Sequence, residues 1–249
     1  MAQETLLAMG EPYDPKRRLF GRQREILLSP KRRTRHLFCL GPPGSGKTRL
    51  LEHLADEDIV AGHGLAIIEP EGGLTRRLLS KLIAGSDDLE ELAERVVILE
   101  PGNGEFALPL NVLSVTEGEN PYLPIEHTVS CLKRCWATSW GPRLEDLLRN
   151  TFLVLQAFGL TLNEAILFLS HREFRQKLCQ KIDDPALRYF WVNHLEAIRQ
   201  HEYRVWIESS RNKLDQLVNP FLKPFFAQDG CFDFRKAMDE GKLIFVNID

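Results

Sequence analysis

Gly41-Pro42-Pro43-Gly44-Ser45-Gly46-Lys47-Thr48 decides how this chain folds. It reads G-x-x-x-x-G-K-T, the spacing of a phosphate-binding loop, or P-loop. Glycines at 41, 44 and 46 let the backbone turn tightly and bring bare N–H groups up to an anion. The helix that follows adds free N–H donors and the positive end of its dipole. Lys47 is expected to reach the β- and γ-phosphates of a nucleotide, and the Thr48 hydroxyl to ligate Mg²⁺. With Pro42, Pro43, Ser45 and Arg49, these residues make up the expected nucleotide site, and ATP and Mg²⁺ are the expected cofactors. The flanks fit. His36-Leu37-Phe38-Cys39-Leu40 has the apolar character of a buried strand. From Lys47 onward, Leu50, Leu51 and Leu54 recur on one helical face. The alternative is a plain glycine turn between a strand and a helix; the lysine and threonine at fixed spacing argue against it.

Composition sets broad limits. The 249 residues suffice for one large or two small domains. Hydrophobic content of 43% and charged content of 27% are ordinary for a globular protein, and a net charge of −3 selects no partner. No apolar run is long enough to span a membrane, and the first ten residues lack the pattern of a signal peptide, so a cytoplasmic location is expected. The five cysteines are odd in number and scattered, as for reduced thiols. His127, Cys131 and Cys135 share one helical face but lack a fourth zinc ligand nearby, so a helix face with small apolar thiols is the preferred reading.

Going outward from the P-loop, residues 1–35 form an amino-terminal basic arm. Within residues 16–35, Lys16, Arg17, Arg18, Arg22, Arg24, Lys31, Arg32, Arg33 and Arg35 face a single acid, Glu25. Such a cluster suits DNA or another polyanion, or else a solvated helix and loop. Residues 36–119 alternate strands and helices, with strands at 64–69 and 96–100. That alternation predicts an α/β domain with a parallel sheet covered by helices on both faces. Residues 120–228 are helical in periodicity, with Leu144, Leu147, Leu148, Phe152 and Leu155 as an apolar stripe and Thr161–Glu164 as a capping box. The tryptophans of this stretch read as packing anchors, and its charges as a mixed solvated surface. Residues 229–249 return to the α/β core through Phe232-Asp233-Phe234, a short helix and the apolar strand Leu243–Ile248. An α/β domain does not ordinarily stop on a core strand, so the chain is expected to be a fragment.

A P-loop alone does not hydrolyse. An acid at the end of a neighbouring strand holds Mg²⁺ through water, and a polar group positions the attacking water. Glu69, Glu100 and Asp249 are the strand-end acids that could serve.

Several stretches together resemble the HerA-type and conjugative coupling-protein ATPases, the DNA pumps of type IV secretion. They are 36–51, Leu65-Ala-Ile-Ile-Glu-Pro-Glu-Gly-Gly-Leu74, Leu108-Pro-Leu-Asn-Val-Leu113, Trp140-Gly-Pro-Arg-Leu-Glu-Asp-Leu-Leu-Arg-Asn150 and 232–247. The resemblance implies a RecA-like sheet with an all-helical insertion, and a homo-hexameric ring that hydrolyses ATP to move DNA in secretion or conjugation machinery. It places the strand Leu243–Ile248 before the Walker B strand. Glu69 stands where the family usually has Asp. Two other readings stay open: a P-loop kinase, and a nucleotide-binding assembly module that does not hydrolyse.

Overall fold

The computed structural model describes residues 7–8, 27–33, 35–102, 107–115, 118–195, 198, 200–226 and 228–248. The chain divides into two compact units, one of residues 1–100 and 233–249, the other of residues 101–232.

The first unit is α/β. After the P-loop come helix α1 (Lys47–Val60), strand β1 (Leu65–Glu69), helices α2 (Gly73–Gly85) and α3 (Leu89–Arg95), and strand β2 (Val96–Leu99). The second unit holds helices α4 (Tyr122–Cys135), α5 (Pro142–Ala157), α6 (Asn163–Ser170), α7 (Arg172–Cys179) and α8 (Gln200–Leu217). The chain then returns through helix α9 (Phe234–Asp239) to strand β3 (Leu243–Asn247). A short antiparallel pair, Leu7–Ala8 with Leu27–Leu28, precedes all of these.

The sheet is parallel, in the order β1-β3-β2. Leu65 lies opposite Leu243, and Val96 opposite the same Leu243. The central position of β3 follows from its sequence. Leu243, Ile244 and Phe245 are consecutive large apolar residues, and all three are buried. That run suits a strand covered on both faces. β1 alternates instead, with Leu65 and Ile67 half-buried against Ala55, Leu74, Leu78 and Phe245. Its other face, with Ala66 and Ile68, is exposed. The Leu243 and Phe245 face of the central strand is packed against Ala55, Leu74 and Leu78 of the helices, while one face of β1 is left open.

The expected strand at 36–40 does not form. Nothing among the described residues pairs with it, and Phe38 and Leu40 are 85% and 84% exposed. Apolar residues give a segment strand character only where a ladder partner and a covering face exist. Phe232-Asp233-Phe234 is likewise not a strand. The Asp233 side chain accepts the Lys236 N–H (2.8 Å) and starts α9.

The helical unit has its own core. Leu147, Leu148, Phe152 and Leu155 of α5 are fully buried, with Phe168, Leu169 and Trp191 from neighbouring segments. Burial of each such side chain contributes about 1.5–3 kcal/mol. The unit is larger than the helical stretch expected at 120–228. Leu113 is fully buried in its core, the Gln156 amide donates to Leu113 O (2.8 Å), and Leu110 bridges Cys231. The boundaries thus fall at Pro101 and Asp233, because the loops flanking the helices pack with them. Trp140-Gly-Pro-Arg-Leu-Glu acquires a structural meaning here. Pro142 opens α5, and the Trp140 indole N–H donates to Glu145 (2.8 Å), which also accepts Lys133 (2.9 Å) from α4. These donors, Lys133 first, hold the Glu145 carboxyl at about 2. At α6 the Glu164 carboxylate accepts the Thr161 N–H (2.8 Å), the return arm of a capping box. Cys131 and Cys135 lie on the exposed side of α4 with His127, away from its buried Ile125, Val129 and Leu132.

Candidate functional site

Two glycines do what the P-loop requires of them. Gly44 and Gly46 have φ of +78° and +89°, left-handed values that a Cβ disfavours. At Gly41 the constraint is milder: a Cβ there would lie 2.4 Å from Ser45 Oγ, so the Ser45 hydroxyl would have to turn away. The turn is closed by the Ser45 N–H donating to Pro42 O (3.2 Å). Lys47 folds back over it, and its ammonium donates to Gly41 O (2.8 Å) and Pro42 O (3.0 Å). A unit positive charge is thereby fixed at the mouth of the loop.

α1 begins at Lys47 with no side-chain cap and no acid in its first turn. The first α1 bond is Leu50 N–H to Gly46 O (2.9 Å). The N–H groups of Lys47, Thr48 and Arg49 have no partner within the helix. Three donors without a helical partner, a helix dipole and a clamped ammonium converge on one exposed loop, a donor set suited to an anion. Nucleotide phosphates with Mg²⁺ fit this donor set. Thr48 lines a cleft of about 580 Å³ together with Leu51, Ala55 and Asp58 of α1 and the length of β1. The Arg49 side chain is directed elsewhere, to both oxygens of Glu52 (3.1 Å). Arg49 therefore offers the loop its backbone N–H alone.

Two of the three strand-end acids, Glu69 and Glu100, accept hydrogen bonds from within the unit. Glu69 accepts the Leu74 N–H (3.1 Å) and also the Thr75 N–H, so its two oxygens cap α2. Burial pushes its carboxyl up, but the donors from Thr75 and Leu74 outweigh that and leave it below the usual range. Gly72, at φ +62°, supplies the turn from β1 into α2. Beside it the buried Asn247 at the end of β3 donates to Glu100 (2.7 Å). Glu69, Asn247 and Glu100 thus line the carboxyl edge of the sheet, where ligands bind in such folds. Asp249 lies outside the described residues.

Two features were not anticipated from the sequence. Glu52 on α1 is 2% exposed and pairs with Lys81 (2.8 Å), Arg49 and Arg77 (3.1 Å). Lys81 first, then Arg49 and Arg77, hold its carboxyl at about 2. The available signal was spacing: Arg77 and Lys81 sit four residues apart on α2, facing one acid. The second is Asp58, which binds the Arg33 guanidinium through both oxygens and contacts His63 Nδ1 (3.3 Å). Part of the basic arm is thereby tied to the P-loop helix. Arg32 and Arg35 are exposed, while Lys16, Arg17, Arg18, Arg22 and Arg24 lie outside the described residues. No described helix is long and apolar enough to cross a membrane.

No family model matches the chain. It is 30% identical over 120 residues to the DNA repair and recombination protein RadB of Methanothermobacter thermautotrophicus, over 47% of this chain and 50% of that protein. The chain thus spans about half the length of that relative. Among solved structures it is similar to the unbound conjugative coupling protein TrwB, with a TM-score of 0.51 and 18% identity over 82% of this chain and 44% of that one. The plasmid coupling protein TrwB in complex with ADP and Mg²⁺ gives 0.52 and 18%, with the same coverage. At such identities the likeness speaks for architecture. The chain has the RecA-like α/β fold of the coupling protein TrwB, with an all-helical unit set into it.

Proposed function

We propose that this chain is the ATP-binding part of a P-loop ATPase that couples ATP hydrolysis to the movement of DNA as a homo-hexameric ring. One observation carries the nucleotide half of this reading: the Lys47 ammonium clamped on Gly41 O and Pro42 O beside three unpaired N–H groups. In this role Lys47 neutralises the β- and γ-phosphates, Thr48 holds Mg²⁺, and the loop from Gly41 to Gly46 cradles the phosphates. The likeness to TrwB and RadB supports DNA as the partner, and the exposed Arg32 and Arg35 offer it phosphate contacts. A cytoplasmic motor in secretion or conjugation machinery is the setting we favour.

A second reading, a nucleotide-binding assembly module that does not hydrolyse, is favoured by the engagement of Glu69 and Glu100 in internal hydrogen bonds. Glu69 has both oxygens engaged as the cap of α2, and Glu100 has one engaged by Asn247.

Titration calorimetry with ATP and Mg²⁺ tests the shared premise. Binding by the native chain and its loss in Lys47→Ala is the expected result; equal binding by both refutes the role of the loop. DNA-stimulated phosphate release then separates the readings, since the module predicts none.

A further inference from the structure

We infer that the helical unit carries a second anion site, a pocket for phosphate groups built on α7 and α8 and separate from the P-loop. A cavity of about 610 Å³ is lined by Arg172, Arg175, Tyr203, Arg204 and Arg211, with Glu208 the one acid among its described lining residues. That volume lies within the range of small-ligand sites. Four guanidinium groups against one carboxylate select an anion, and the planar fork of arginine matches a phosphate oxygen pair.

Arg175 is buried and fixed, whereas Arg204 and Arg211 are exposed. Arg175 is 6% exposed and donates to Phe168 O (3.2 Å) and Leu169 O (3.0 Å) at the end of α6. Its guanidinium lies 5.0 Å from the Tyr203 ring centre, and the Tyr203 hydroxyl donates to the same Leu169 O (3.0 Å). This arrangement sets a permanent positive wall. Arg204 and Arg211 are two turns apart on α8 and exposed. Arg204 has no side-chain partner among the described residues, and Arg211 has only Asp215 one turn on at 3.5 Å, a solvated pair of small value. These two are available to a ligand.

Leu195 contributes apolar lining from the π-helical turn Phe190–Leu195. That turn is held by Trp191, which is buried, stacks edge-on to Phe168 (4.7 Å) and donates to Asn150 O (3.4 Å). π-Helical turns are rare and recur at functional sites.

The test uses the whole chain carrying Lys47→Ala, so that the P-loop contributes nothing. Inorganic pyrophosphate is titrated by calorimetry, and a fluorescein-labelled oligothymidylate by anisotropy, with and without Arg204→Ala and Arg211→Ala together. Both arginines are exposed, so an unchanged thermal melt is expected. At least a tenfold loss of pyrophosphate binding in the triple variant supports the site, with the phosphate group itself as ligand. A tenfold loss for the oligonucleotide alone also supports it and identifies a nucleic-acid backbone as the source; the salt slope then falls by about 1.4, at roughly 0.7 per phosphate contact on a single strand. Binding of neither probe, or binding that the two substitutions leave unchanged, overturns the proposal. Failure here leaves the P-loop reading untouched, because Lys47 is absent from every arm.

Discussion

Gly72→Ala puts the carboxyl edge of the sheet to a quantitative test. Gly72 has φ +62°, where an L side chain costs about 1–2 kcal/mol. A Cβ there would also lie 2.6 Å from Asn247 Nδ2 and 3.0 Å from its Cγ. Asn247 must then move, and its bond to the Glu100 carboxylate (2.7 Å) is broken. A hydrogen bond to a charged group contributes about 1.5–3 kcal/mol, so the substitution should cost about 4 kcal/mol in all. Gly62→Ala is the control. Its φ is +78°, but nothing lies within 4 Å of the added Cβ, so only the backbone part, about 1–2 kcal/mol, should appear. The two units can be read separately. All four tryptophans fall within residues 101–232, so tryptophan fluorescence follows the helical unit. Hydrogen exchange of β3 amides follows the sheet. We expect opening of β3 to become easier by about 4 kcal/mol in Gly72→Ala, with fluorescence-detected unfolding unchanged. In an Asn247→Ala background the same substitution should cost only the backbone part. Equal costs for Gly72→Ala and Gly62→Ala, or strict additivity with Asn247→Ala, would refute the steric argument.

Two further outcomes follow from the carboxylates. Glu52 is lowered from 4.5 to about 2, so its contribution to stability is complete above pH 4.5 and is lost as pH falls toward 2; Glu52→Gln should flatten the acid limb of β3 exchange over that window, and an unchanged limb would show the three cations to be idle. Glu69→Ala removes the cap of α2 and should destabilise the sheet unit by about 1 kcal/mol in the same exchange measurement, whereas a purely catalytic Glu69 would leave stability intact.

Much of the site was legible because a P-loop is local. Its glycines, lysine and helix start lie within a few residues; backbone geometry dictates the glycines, and the charge expected of a phosphate ligand dictates the lysine. β1, β2 and β3 were legible for a similar reason, as apolar runs bounded by turns. The stretch at 36–40 misled because its apolar pattern is that of a strand, yet pairing depends on a partner the pattern does not contain. Glu69 was legible as a strand-end acid but not as a helix cap, since the capped amides of Leu74 and Thr75 belong to a turn that glycine at 72 folds back. The Glu52 cluster and the arginine pocket were hidden because each joins side chains from different helices, and mixed charge in a linear sequence does not reveal which charges meet.

The order of the strands constrains how the chain reaches this state. Among the described residues β1 and β2 do not pair with each other; each pairs with β3, which is made after the whole helical unit. On a ribosome the helices can close their mostly short-range contacts while both early strands still lack a ladder partner. Loop closure over that span is slow compared with helix packing. The sheet, and the P-loop cleft that β1 lines, should therefore mature last, with Ile67 and Val96 exposed until Leu243 emerges. For that interval the unpaired apolar edges of β1 and β2 are the part of the chain most open to aggregation.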